Sequence, residues 1–178
     1  MFLRVLAFLL ETIFFVLMAS ALLRAYMNWL RINMTAQPGV FVMAVTDWLI
    51  KPMRRLLPQA IARSKLDSAS LLAAVLLALV YSLLMLMLMG GVSIVGLGLP
   101  WIALQMLLKV AIQTLFILVL AYAVLSWVQR GSYVYGLLAR LVAPLLSPIQ
   151  RVLPTLGGVD LSALVLILLL QIGLMLIG

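Results

Sequence analysis

Residues 52–58 read PMRRLLP, and residues 148–154 read PIQRVLP. Both stretches bracket arginine with prolines, in a chain where only 9% of residues carry charge. Pro52, Arg55, Leu57 and Pro58 match Pro148, Arg151, Leu153 and Pro154, while Met53/Ile149 and Leu56/Val152 are conservative pairs. The likeness extends outward from this phrase. Asn28-Trp29-Leu30 and Ser126-Trp127-Val128 each close an apolar run upstream of it, and Asp67-Ser68-Ala69 and Asp160-Leu161-Ser162 each open one downstream. The repeated unit is therefore apolar run, basic segment, apolar run. A period of this size decides the architecture before any single element does.

The chain has 178 residues, 67% of them hydrophobic. Soluble domains are about half apolar and about a quarter charged, so lipid is the expected solvent for most of this one. A hydrocarbon core of about 30 Å takes roughly 20 helical residues to cross. Four runs qualify as spans: about residues 2–30, 69–89, 101–128 and 161–178, the last near the short limit. The first is interrupted by Glu11 and Arg24, and the third carries Gln105, Lys109 and Gln113. Arg4, the following apolar stretch and Ala19-Ser20-Ala21 imitate a signal peptide. Glu11 inside that stretch, its continuation to Leu30 and its match to the retained third run argue instead for an uncleaved span.

The predicted fold is an all-α integral membrane protein of four transmembrane helices, built as two span–amphipathic loop–span repeats. Residues 1–89 form the first repeat, with its loop at 31–67. Residues 90–100 form an outer connector, and residues 101–178 form the second repeat, with its loop at 129–160. An even number of spans per repeat makes the copies parallel, with a pseudo-two-fold along the membrane normal. The first loop holds Arg31, Lys51, Arg54, Arg55, Arg63 and Lys65, the second holds Arg130, Arg140 and Arg151, and the connector holds no charge. Positive loops stay in the cytoplasm. Both termini and the connector are expected on the outer side.

On a helical wheel Leu49, Met53, Leu56 and Leu57 share one face, opposite Asp47, Lys51, Arg54, Arg55 and Pro58. In the second loop Leu138, Val142, Leu145, Ile149 and Val152 oppose Arg140, Ser147, Gln150 and Arg151. Segments of this kind lie in the membrane interface with the apolar side down. Pro52, Pro144 and Pro148 are expected to bend or break these helices, and Pro58 and Pro154 to end them. The exposed cations Lys51, Arg54, Arg55, Arg140 and Arg151 are candidate ligands for anionic headgroups, at roughly 1 kcal/mol each, or for a protein partner. Asp67 and Asp160, each heading a span, are read as N-cap carboxylates.

Glu11 and Lys109 each stand 18 residues before a tryptophan, Trp29 and Trp127, and so occupy one position in the two repeats. Ionisable groups inside a span are costly and normally pair or face a cavity. A pair between them across the pseudo-two-fold is the expectation, against separate snorkelling to the outer surface.

Several function classes are disfavoured. There is no cysteine and no histidine, which removes disulfides, thiolates and the commonest metal ligands. No base stands ready beside a nucleophile, so no enzyme is expected, nor any metal or cofactor. GGVSIVGLG, residues 90–98, lies between spans and reads as a flexible turn. No nucleic-acid-binding module is visible.

A span ending in tryptophan, then P-x-x-R-x-x-P, then D-x-[SA] opening a second span, all duplicated, resembles the YggT family of bacterial integral membrane proteins. The carrying residues are Pro52, Arg55, Pro58, Asp67, Ser68 and Ala69, and Pro148, Arg151, Pro154, Asp160 and Ser162. The stretch between Pro58 and Asp67 is longer than its counterpart in copy two, which departs from strict symmetry. The resemblance implies a non-enzymatic, multi-pass protein of the bacterial inner membrane, linked to osmotic and extracytoplasmic stress. Two roles follow as expectations. One is an organiser that gathers membrane lipids, membrane-protein partners or further copies of itself through its paired basic segments. The other is an oligomeric component of cation transport or K⁺ homeostasis.

Overall fold

A computed structural model of the chain is all-helical. It describes residues 1–34, 39–56, 67–88, 98–129, 131–151 and 161–177. Within these lie α1 (Phe2–Trp29), α2 (Gly39–Leu56), α3 (Ser68–Leu88), α4 (Gly98–Val128), α5 (Tyr133–Gln150) and α6 (Leu161–Ile177). Helices α1, α3 and α4 are long and apolar enough to cross a membrane, and α6 is apolar but shorter, at 17 residues. The observed ends of α1, α3 and α6 fall within a residue or so of the expected spans. Helix α4 starts three residues earlier than expected. Pro100 sits in its first turn, where its missing N–H costs no helical bond. Pro58, Pro154, Asp160 and residues 89–97 of the connector region lie outside the described residues.

The chain divides into two compact units, Met1–Val110 and Ala111–Gly178. In the first, α1 packs along α3, and α2 packs against both. The buried face of α3 is a ladder of small side chains: Ala69, Ser70, Ala73, Ala74, Ala78 and Ser82. Small residues let helix backbones approach closely, which matters where lipid removes the hydrophobic drive for helix association. Helix α1 meets that ladder with its C-terminal half, burying Met18, Ala21, Ala25 and Met27, while Phe2, Phe8, Leu9 and Ile13 remain exposed. Met18, Leu77 and Ala78 form a core with Ala103 and Val110 from the start of α4.

The chain turns sharply between α1 and α2. Arg31 adopts a left-handed conformation with φ 54°. Its N–H donates to the Asn28 carbonyl at 3.1 Å, and the Ile32 N–H donates to that of Met27 at 3.0 Å. This is a Schellman cap, satisfying carbonyls that α1 would otherwise leave unpaired. Gly39 then opens α2 against the backbone of Met34. A Cβ there would stand 2.7 Å from the Met34 Cα and carbonyl oxygen, so no side chain fits.

The apolar side of α2 does not point into the membrane interface, as the wheel suggested. Ile50 and Met53 pack against Ala69 and Ala73 of α3. The small residues at the head of α3 offer a protein surface, and the apolar side takes it. Of the two expected effects of the prolines, bending or breaking, the break does not occur. Helix α2 continues through Pro52, and α5 through both Pro144 and Pro148. All three prolines are solvent- or lipid-facing. The carbonyls they leave unpaired, four residues earlier, belong to Trp48, Arg140 and Pro144, which are also exposed, and water or headgroups can satisfy them there.

In the second unit α5 packs on α6. Leu137, Leu138, Leu141, Val142 and Leu146 form the buried side of α5, and Ser162, Ala163 and Leu166 that of α6. Ser132 caps α5, its hydroxyl accepting from the Tyr135 N–H at 3.1 Å. The Tyr122 ring of α4 stacks on that of Tyr135, with centroids 5.5 Å apart and planes 14° from parallel.

Candidate functional site

The charged side chains that the structure brings together lie where α1, α2 and α3 of the first unit meet. Arg24, near the end of α1, is 6% exposed. Its Nη1 donates to Thr46 Oγ1 at 2.8 Å and to Asp47 Oδ1 at 2.7 Å, both on α2. Its Nε lies 4.0 Å from Asp67 Oδ2, at the head of α3. That same Asp67 oxygen accepts from Arg54 Nη2 at 2.7 Å and from the Ser70 hydroxyl at 2.8 Å. Lys51 Nζ meets Asp47 Oδ2 at 2.8 Å. Thr46 passes its own hydroxyl proton back to the Val42 carbonyl at 2.7 Å.

Local sequence explains each placement. Asp67 is the residue before α3, and its Oδ1 accepts from the Ser70 N–H at 3.4 Å, so the N-cap reading holds for this copy. Thr46, Ile50 and Met53 share the buried side of α2, while Asp47, Lys51 and Arg54 flank it at helical spacing. Arg24 occupies the level of α1 that faces both acids. A guanidinium in so dry a place is tolerable only when its donors are taken by oppositely charged or strongly polar acceptors. The Lys51 ammonium, followed by the Arg24 guanidinium, holds the Asp47 carboxyl below its ordinary range. Both acids are paired with cations between helices, and the cluster ties three elements into one corner.

The cations expected to serve as ligands divide into two kinds. Arg55, Arg140 and Arg151 are exposed, and Lys51 reaches outward with its side chain 71% exposed although Asp47 holds its tip. Arg54 instead turns in to Asp67, with its side chain 48% exposed. Pro52 and Pro148 lie on exposed helix faces. Phe41, Trp48, Tyr133 and Val134 also stand exposed. Glu11 is exposed on α1 and Lys109 half-buried on α4. Among the described residues the ion pairs all belong to the Arg24 cluster, and none joins Glu11 to Lys109. No group of His, Cys, Asp or Glu among the described residues suits a metal ion.

The central residue of this cluster, Arg24, is one the sequence reading treated as an interruption of a span. A signal was present in the repeat. The register that aligns Trp29 with Trp127 sets Arg24 opposite Tyr122, and the register that aligns Pro52 with Pro148 sets Asp47, Lys51 and Arg54 opposite Ala143, Ser147 and Gln150. The charges of Arg24, Asp47, Lys51 and Arg54 are lost together in copy two, which keeps only the acid Asp160 opposite Asp67, and Tyr122, at the Arg24 position, stacks on Tyr135 instead. Residues that change as a set between two copies mark side chains that act as a set.

Comparison with known proteins places this geometry. The family model described as CCB3/YggT matches residues 3–88 and 101–178. A protein of Escherichia coli strain K12 named "Uncharacterized protein YggT" is 37% identical over 169 residues, covering 94% of this chain and 86% of that protein. A Vibrio alginolyticus protein described by its position in the proC 3′ region is 32% identical, covering 97% of this chain and 92% of its own length. An uncharacterised protein of Pseudomonas aeruginosa is 34% identical, covering 93% and 84%. No solved structure matches the chain.

Proposed function

We propose that this chain, which belongs to the CCB3/YggT family, is a non-enzymatic organiser of the bacterial inner membrane. It gathers anionic lipids and membrane-protein partners on its cytoplasmic side, in service of the response to osmotic and extracytoplasmic stress. In this reading α1, α3, α4 and the shorter α6 all span. At 1.5 Å per residue, α6 reaches about 25 Å, near the lower limit for a crossing. Both repeats run in parallel, and both termini are periplasmic. The two separate stretches matched by the one family model support the duplicated plan.

The observation that carries the proposal is the buried Arg24 cluster. In this reading it serves structure rather than chemistry, since its acids are paired with fixed cations. It does fix α2 against α1 and α3. The outward side left by that docking combines Phe41 and Trp48 with Lys51 and Arg55. Aromatic rings beside cations suit the headgroup layer of an anionic leaflet. Helix α5 offers Tyr133 and Val134 with Arg140, and Arg151 just beyond its end.

The test uses purified protein in nanodiscs of mixed phosphatidylglycerol and phosphatidylcholine, with retained lipids counted by native mass spectrometry. The variant Lys51→Gln/Arg55→Gln/Arg140→Gln/Arg151→Gln is expected to lose its preference for phosphatidylglycerol, and Arg54→Gln to keep it. Unchanged preference in the fourfold variant contradicts lipid recruitment by these segments. A second reading, cation transport, is favoured by the polar positions Glu11, Gln105, Lys109 and Gln113 on otherwise apolar helices. Selective K⁺ flux into proteoliposomes, abolished by Glu11→Gln, would replace the organiser reading with that one.

A further inference from the structure

Two charges stand inside the apolar lengths of α1 and α4 and outside the Arg24 cluster: Glu11 and Lys109. Each is 18 residues from an exposed tryptophan at the end of its helix, Trp29 and Trp127. Along a helix that separation is about 27 Å. With the tryptophans at one interface, both charges fall at one depth within a hydrocarbon core of about 30 Å. An ionisable group there normally pairs or faces a polar cavity.

The chain offers little to pair with. Of its four acids, Asp47 and Asp67 are taken by Arg24, Lys51 and Arg54. In the sequence Asp160 adjoins the second basic segment, at the end of the fourth apolar run that the repeat register sets away from the level of Lys109. Among the described residues neither Glu11 nor Lys109 has an ion-pair partner. Glu11 stands exposed among Phe8, Leu9 and Ile13, and the half-buried Lys109 stands beside exposed Leu104 and Leu108. Gln105 and Gln113, one turn either side, make a polar stripe with Lys109. The two sites thus have opposite charge and equal depth, Glu11 open to the surroundings and Lys109 partly so.

We infer that this chain forms a homodimer within the membrane, in which Glu11 pairs with Lys109 of the partner subunit and Lys109 with Glu11 of the partner subunit. A two-fold along the membrane normal preserves depth, and a self-complementary face makes each such contact twice. The occupant is a second copy because only a copy supplies both missing charges at the matching level. The inference rests on α1 and α4 spanning the bilayer, and it is independent of lipid recruitment by α2 and α5.

The test exploits a chain without cysteine. Glu11→Cys and Lys109→Cys variants, carrying different affinity tags, are co-expressed and treated in native membranes with a short bis-thiol cross-linker. The expected product is a covalent dimer containing both tags, with 11-to-11 and 109-to-109 products weaker by about tenfold, a ratio equivalent to 1.4 kcal/mol. In a parallel series without cysteine, Glu11→Lys is expected to lower the dimer fraction about tenfold, and Glu11→Lys/Lys109→Glu to restore it. Absence of the 11-to-109 product in membranes that contain both variants overturns the inference. So does an unchanged dimer fraction in Glu11→Lys. Either failure leaves the nanodisc lipid measurement standing, so loss of the dimer and loss of the lipid preference are distinguishable.

Discussion

Arg24 and Asp67 differ in how visible they were. The capping role of Asp67 is a local matter, a carboxylate three residues ahead of the N–H it accepts from, and the residues around it announce it. Arg24 finds its partners at Thr46, Asp47 and Asp67, across two turns of the chain, and no periodicity on α1 points to them. Removing one member of a buried charged set typically costs about 3–5 kcal/mol. Here Asp67 keeps Arg54 and Ser70, and Asp47 keeps Lys51, so Arg24→Met is expected at the low end, about 3 kcal/mol. Arg55→Met, which breaks no contact of this set, is expected to change stability by no more than about 0.5 kcal/mol. Chemical denaturation in detergent micelles checks the pair, and equal stabilities would remove the cluster from its structural role.

At the level of the helix, the apolar runs located the ends of α1, α3 and α6 closely, since a long greasy run has one low-energy conformation. The amphipathic segments were less legible. Their two-sidedness was plain, but not what the apolar side would meet, because the small-residue surface of α3 lies in another part of the chain. The absence of a break at the prolines has a related reason. Its cost depends on whether the orphaned carbonyl is buried, and in α2 and α5 the residues that carry it are exposed. Two glycines separate local from tertiary control. Gly39 is pressed against the Met34 backbone, whereas a Cβ at Gly136 of α5 would meet nothing within 4 Å. Gly39→Ala is expected to destabilise by about 1–3 kcal/mol through overpacking. Gly136→Ala is expected to stabilise by about 0.5–1 kcal/mol, through lower backbone entropy of the unfolded chain. Thermal unfolding of both variants tests the contrast, and a shift of the same sign in both would contradict the close approach at Gly39.

For the whole molecule, the duplicated phrase around Pro52 and Pro148 carries the proposed plan, and its imperfections mark where the two copies differ. Repeats imply equivalence of backbone, and the two copies here differ in chemistry, one closed by ion pairs and the other by stacked tyrosines. The central claim is that both basic amphipathic helices lie on one side of the membrane. Single cysteines introduced as Arg55→Cys and Arg151→Cys, probed in intact cells and in inverted vesicles with a membrane-impermeant maleimide, test it most directly. Labelling of both in inverted vesicles and of neither in intact cells is predicted; labelling of the two sites from opposite sides would contradict the account.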